Sequence, residues 1–315
     1  MAEWYDQITD KFVGNVANKY MQENPWKIFR AFPDVPVKQL SGYLATYDKE
    51  DWLRIGDPDD YIVNGAAESI GDDFATGKSA YVLKKYKFHD DLDKDSMENY
   101  DSPFAAVRDR TEFVVSRLGL VMAKVFKNAL MTTGVWGKDV DCSGAKWTTA
   151  GTNVMKQISD NAQYVQSITG FRPNRMIVCQ DAIDALDYNT GIINRMKTTS
   201  DKIITTDLLA RLFKLEMIEV LSAVETSAAK GGTVTTANTD FMHSGSALLF
   251  FAPPRPSIKM PCAGYNLIRK GKLGKINTTQ IPMKAKNDAI RIEGWVEAMP
   301  FVLGADLGVY FYNLV

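Results

Sequence analysis

SPFAAVRDRTEFVVSRLGLVMAKVFKNALMTTG, residues 102 to 134, is the stretch on which the fold class turns. Ser102 is a side-chain cap and Pro103 suits the first helical position, where a missing N–H costs nothing. Behind them Phe104, Val107, Thr111, Val114, Leu118, Val121, Val125 and Ala129 recur every three or four residues up to Gly134. That spacing places them on one helix face. It predicts a helix over 103–131 of about 42 Å, at 1.5 Å per residue, roughly twice the usual length. A rod of this size serves as a spine to which other elements attach.

Downstream of the rod the pattern becomes mixed α and β. Residues 153–168 read as a helix, 176–179 as a buried strand and 181–188 as a short helix; 207–213 reads as a helix running into a strand at 217–221. A strand over 247–252 is stopped by Pro253 and Pro254. Residues 289–299 alternate apolar and polar, Pro300 to Gly304 breaks the run, and 309–315 forms the last β-segment. The class is α+β.

Upstream the chain looks incomplete on its own. Trp4, Ile8, Phe12, Val16 and Tyr20 recur every fourth position, so 2–21 reads as an amphipathic helix ended at Asn24-Pro25, with Trp26, Phe29 and Phe32 following. Such an arm needs an apolar surface, on its own chain or on a neighbour. The Gly-rich run 64–77 leads into Tyr86 and Phe88 alternating with Lys85, Lys87 and His89, a half-exposed strand in a hairpin with little core beneath it.

The chain has 315 residues, enough for two compact units, and its 45% apolar and 24% charged content is that of a folded globular protein. The longest apolar runs, such as Ala247 to Ala252, fall far short of the 18–20 residues of a bilayer span, so no membrane is expected. No secretory leader opens the sequence, and Cys142, Cys179 and Cys262 are odd in number and far apart, so synthesis in a reducing cytoplasm is expected. A net charge of −1 hides an asymmetry. Residues 1–101 hold twenty Asp or Glu against twelve Lys or Arg, while 251–291 hold nine basic residues against Asp288 alone. Opposite potentials at the two ends suit internal pairing or a head-to-tail match between copies. Arg269, Lys270, Lys272 and Lys275 form the densest basic cluster, read as a solvated loop ahead of DNA contact.

Catalysis finds little to stand on. His89 and His243 are the only histidines, which excludes multi-His metal cages. GDDFATGKS, residues 71–79, imitates a phosphate loop, but five residues separate its glycines where four are needed, and β-rich sequence follows where a helix should start. No dinucleotide-binding or nucleophile-elbow signature is present. Asp72-Asp73 and Asp90-Asp91 sit in polar sequence and read as solvated surface. No catalytic residue, cofactor or metal is expected.

The order of these segments resembles the major capsid proteins of tailed bacteriophages, which share the Hong Kong 97 fold. FPDVPV (Phe32–Val37), YLATYDKEDWLR (Tyr43–Arg54), TGFRPNRMIV (Thr169–Val178), TTDLLARLF (Thr205–Phe213), GSALLFFAPPRPSIKMPCAGY (Gly245–Tyr265) and the closing GADLGVYFYNLV carry the likeness through nearly the whole chain. The resemblance implies an N-terminal arm (1–54), an extended loop (55–88), a peripheral domain (89–134 and 283–304) around the spine, and an axial domain (135–282 and 305–315). It implies a homo-oligomer of hexamers and pentamers forming an icosahedral virion shell around packaged DNA held by non-specific contact. Arm and loop would lie over adjacent subunits, which makes Trp4, Ile8, Phe12, Tyr20, Trp26, Phe29, Lys78, Lys84, Lys85, Tyr86 and Phe88 the candidate inter-subunit contacts.

The family also implies a portal and, in some members, decoration proteins. Some members start with a long cleavable scaffolding segment. This chain enters arm-like sequence at once, so a separate scaffolding protein, or a segment already removed, is expected. Some members join a loop Lys to a neighbour's Asn with the help of a Glu; Lys78, Lys84 or Lys85 with Asn277 or Asn287 and Glu293 could be cast in those roles, but are read as ordinary surface. An encapsulin-type nanocompartment shell is the alternative within the same fold.

Overall fold

The structure, a computed structural model, describes residues 27–47, 53, 76–98, 103–196, 205–228, 235–256, 260–269, 276–283 and 288–315. Contacts divide the chain into two compact units, Gln39–Val82 and the remainder. The smaller unit is a hairpin in which β2 (Ser41–Tyr47) pairs antiparallel with β3 (Thr76–Val82), Ser41 opposite Val82 and Tyr43 opposite Ala80. Residues 77–82 are therefore strand, where a phosphate loop would require a helix. The amphipathic reading of 2–21 and the cap Ser102 lie outside the described residues.

In the larger unit the spine helix, α2 (Pro103–Leu130), follows a short helix α1 (Lys94–Glu98). Its buried residues include Val107, Thr111, Val114, Leu118, Met122, Phe126 and Leu130. The expected stripe holds as far as Leu118 and then changes: Val121 is exposed, and Val125 and Ala129 are only half-buried. Four-residue steps keep the later turns over the same sheet, so Met122 and Phe126 take the places expected of Val121 and Val125. Thr111 hides its hydroxyl by donating to the Val107 carbonyl at 2.7 Å.

Beneath α2 lies a sheet built on the long strand β13 (Ala289–Val302). Its first half runs between β4 (Lys85–Leu92) and β12 (Asn277–Met283); its second half pairs with β11 (Gly264–Arg269), which carries parallel β1 (Asp34–Val37). Gly294 lets the helix touch the strand, because a Cβ there would lie 2.6 Å from a Val114 methyl. β13 passes straight through Pro300, where the sequence suggested a break. Pro300 pairs with Asn266, whose amide donates instead to the Pro33 carbonyl at 3.0 Å, so no ladder bond at that amide is lost.

The axial part is a second sheet of order β5 (Lys138–Asp141), β14 (Gly308–Tyr312), β10 (Ala247–Phe250), β6 (Arg175–Cys179), β7 (Met217–Leu221). Around it lie α3 (Val154–Thr169), α4 (Gln180–Asp187), α5 (Thr190–Met196) and α6 (Thr206–Phe213). The sequence supplies the ends of these helices: Asn153 accepts from the Lys156 amide, Thr205 from the Leu208 amide, and Gly170 closes α3 in the left-handed region. Trp147, Ile158, Val165, Leu249 and Phe311 fill the core. A side ribbon, β8 (Val224–Thr226) with β9 (Thr239–Phe241), completes this part.

Phe32 joins the two sheets. Its ring stacks on Phe250 at 4.3 Å and lies 6.4 Å from Trp136 and 6.0 Å from Phe126, so axial strand and spine helix share one aromatic cluster. Trp136 donates its indole N–H to the Leu130 carbonyl at 2.6 Å, satisfying an open group at the helix end. Buried Arg175 donates to the Ala31 carbonyl at 2.8 Å and fixes the turn before β1. Among the described residues no helix is long and apolar enough to cross a membrane.

Candidate assembly surfaces

The face of the hairpin that holds Ser41, Tyr43 and Ala45 on β2 also holds Val82, Ala80 and Lys78 opposite them. Tyr43 is 72% exposed and Val82 60%; Leu40 at the hairpin base and Leu53 are exposed as well. A two-stranded ribbon has no second layer of its own, so these side chains stand in water where sheet residues of this kind normally pack. Lys78 belongs to this face and is exposed. Tyr43 and Val82 were not singled out by sequence reasoning. The signal was the alternation in SGYLATY, which needs the partner strand 76–82 before its open side can be told from its covered one.

Lys84 is exposed and Lys85 starts β4. Tyr86 and Phe88 alternate as expected, but their inward side packs on the cluster of Val114, Leu118 and Ile292, and Phe88 meets Phe113 edge-on at 5.8 Å. They are partly covered by their own chain. Phe29 behaves likewise, packing edge-on against Phe126 at 5.2 Å from the 3₁₀ turn Lys27–Arg30. Trp4, Ile8, Phe12, Tyr20, Trp26 and Asn287 lie outside the described residues.

The other side of β4 and β13 is a ladder of charges. Arg291 grips Asp91 with two parallel bonds of 2.7 and 2.9 Å, Lys87 meets Glu293 at 2.6 Å, and Glu297 takes Lys85 at 3.2 Å and Arg269 at 2.9 Å. Lys85 also lies 5.2 Å from the Trp295 ring centre. Period-two alternation puts residues 291, 293, 295 and 297 on one face together. Burial would raise the Glu297 pKa, but bonds from Arg269 and Lys85 outweigh it and hold it below the usual value. Lys85 and Glu293 are thereby engaged with partners inside the chain, and Asn277 sits in β12 opposite Trp295.

Cys142, Cys179 and Cys262 are all buried and free. Burial pushes the first two up to about 11 and the third up to about 12, leaving inert thiols. Among the described residues no cluster of three or more His, Cys, Asp or Glu could hold a metal ion.

No protein-family model matches the chain. In sequence it is 26% identical over 227 residues to the major capsid protein of Burkholderia phage BcepMu, covering 68% of each protein. In structure it resembles a phage-related protein of Bordetella bronchiseptica RB50, with TM-score 0.73, 18% identity and 97% of each chain covered. It also resembles the capsid of the cyanophage P-SCSP1u, with TM-score 0.54, 12% identity, and 90% of this chain and 86% of that one covered. The SrpI encapsulin of Synechococcus elongatus PCC 7942 matches at TM-score 0.54 and 11% identity over 92% and 88% of the two chains. At such identities the structural likenesses speak for the fold, and the phage relative speaks for the sequence. The chain thus has the fold shared by these phage capsids and encapsulins, and its sequence is similar to that of a phage major capsid protein.

Proposed function

We propose that copies of this chain assemble through hexamers and pentamers into the icosahedral head shell enclosing the double-stranded DNA genome of a tailed bacteriophage. The observation that carries the reading is the open hairpin face, with Tyr43 and Val82 mostly in solvent on a ribbon that is marginal by itself. A neighbouring copy supplies the missing layer. Burying one large apolar side chain is worth about 1.5–3 kcal/mol. Many modest contacts per copy permit correction during assembly, while their sum over the shell resists the pressure of packed DNA. The role is mechanical, with no catalytic step.

In this reading the arm is 1–54, the loop 55–88, the peripheral domain 89–134 with 283–304, and the axial domain the rest. The strand Ser41–Tyr47, which pairs with Thr76–Val82 of the loop, comes from residues assigned to the arm. A separate scaffolding protein, a portal, decoration proteins and non-specifically bound DNA are the expected partners. The shell forms in the host cytoplasm and ends in the virion.

Negative-stain microscopy of the purified or co-expressed chain is the test: shells or capsomers are expected, and a uniformly monomeric protein would sink the proposal. Likeness to an encapsulin at the same TM-score as the cyanophage capsid favours a second reading, a cellular nanocompartment. Particle contents decide between them, DNA for a phage head and protein cargo for a compartment.

A further inference from the structure

We infer that Glu297 is a positioning residue for the hairpin Gln39–Val82: it fixes the spacing and register of the two strands through which the chain enters and leaves that hairpin. The consequence for assembly rests on the shell reading above. Glu297 lies on β13 and is only 2% exposed. Directly across the ladder stands Lys85, the first residue of β4 after the hairpin, with its ammonium 3.2 Å from one carboxylate oxygen. From the other side Arg269 of β11 donates to the second oxygen at 2.9 Å. Arg269 is in turn the register partner of Val37, the last residue of β1 before the hairpin.

Val37, Arg269, Glu297 and Lys85 thus make one row across four strands, and its two ends are the two roots of the hairpin. With strands about 4.8 Å apart the row spans about 14 Å. Residues 38–40 on one side and 83–84 on the other are all the chain has to bring Ser41 opposite Val82. Connectors so short leave little slack, so a row that widens or slips pulls on the first rung of the ribbon. A two-stranded ribbon is marginal by itself and cannot correct its own root.

Stability alone does not call for an acid at 297. Buried ion pairs and triads replaced by apolar residues of like volume often leave a protein as stable or more so, whereas a carboxylate set between two cations is satisfied in one register. A slip of one residue would carry Glu297 onto the face where Val296 and Ala298 pack with Val114 and Leu118 of α2. The side chains of Lys85 and Arg269 are 41% and 37% exposed. Glu297→Gln therefore leaves no cation buried and alone, and the subunit should fold.

The test uses full-length chain carrying Lys38→Cys and Lys84→Cys, exposed positions on the two connectors, with a spin label on each; the native thiols are buried. Pulsed electron resonance reads the distance between the labels on subunits, or on shells in which labelled copies are sparse. A narrow distribution is expected with Glu297 and with Glu297→Asp, which keeps the charge. Glu297→Gln should broaden it at an unchanged unfolding midpoint and give about tenfold fewer shells. Equal widths in all three overturn the inference and leave the coat reading intact. A broadening that comes with a lower midpoint and that Glu297→Asp does not relieve also overturns it, since it reports a damaged sheet. Should Glu297→Gln fail to fold, Lys85→Gln and Arg269→Gln decide: a broad distribution in either supports the inference, and narrow ones in both overturn it. A wild-type chain that forms no shells removes the coat reading, while the label distance still decides the role of Glu297.

Discussion

Gly294 on β13 and Val114 on α2 are so close that a Cβ on the glycine would stand 2.6 Å from the valine methyl and 2.8 Å from a methyl of Leu118. Strand and spine helix meet backbone to side chain, with nothing between. Gly294→Ala therefore forces the helix off the sheet or pushes Val114 and Leu118 from their rotamers. A loss of about 1–3 kcal/mol is expected in urea unfolding, the usual cost of overpacking. An unchanged midpoint would mean that the helix floats above the sheet.

The aromatic cluster around Phe32 predicts a larger loss at a distance from any assembly surface. Phe32→Ala removes the ring stacked on Phe250 at 4.3 Å and opens a cavity facing Trp136 and Phe126. About 3–5 kcal/mol is expected, since the surrounding rings belong to the axial strand, the spine helix and the turn after it, which cannot collapse inward together. Phe32→Leu should recover part of it. Equal stability of wild type and Phe32→Ala would contradict the role given to this residue as the joint between the sheets.

His243 links pH to the end of the spine helix. Its Nε2 lies 3.1 Å from the Tyr310 hydroxyl, which donates in turn to the Met131 carbonyl at 3.2 Å, so the imidazole is the donor to the phenol oxygen. Burial first, then the nearby Lys127, lower the His243 pKa from 6.5, with Asp181 opposing them. A depressed folded value means the stability is complete above the unfolded pKa and is lost as pH falls through the folded one. Unfolding free energy should thus fall as pH drops below the unfolded value of 6.5, and His243→Gln should flatten that part of the curve. A wild type and variant with parallel profiles would dismiss the histidine as the cause.

What could be read from sequence follows the range of the interactions. The spine helix, α3 and β7 are set by neighbours three or four residues away or by a run of apolar residues, and their periodicity carried them. The switch from Val121 to Met122 after Leu118 was not legible, because both choices satisfy a helical stripe and only the path of β13 beneath selects one. The strand at Pro300 was hidden for a similar reason: whether proline is tolerated depends on where the Asn266 amide points, and that is fixed by Pro33, 233 residues earlier. The hairpin face was illegible until Ser41–Tyr47 met Thr76–Val82, since alternation marks two faces but never says which one is left uncovered.

Tyr43 and Val82 separate folding from assembly. Both are on one face of the hairpin, two rungs apart across the ladder in which Ser41 faces Val82 and Tyr43 faces Ala80. Neither contributes much burial to a lone subunit, so Tyr43→Ser with Val82→Ser should alter subunit stability by no more than about 0.5 kcal/mol per site. If the face is covered by a neighbour in the shell, each copy forfeits that buried area, and the deficit is repeated at every copy of the contact. Assembly yield should therefore collapse while the circular dichroism and unfolding midpoint of the subunit hold, as followed by sedimentation and microscopy. Shells of normal yield and stability from the double variant would show that the hairpin stays in solvent after assembly, and the burial argument for the coat role would lose its footing.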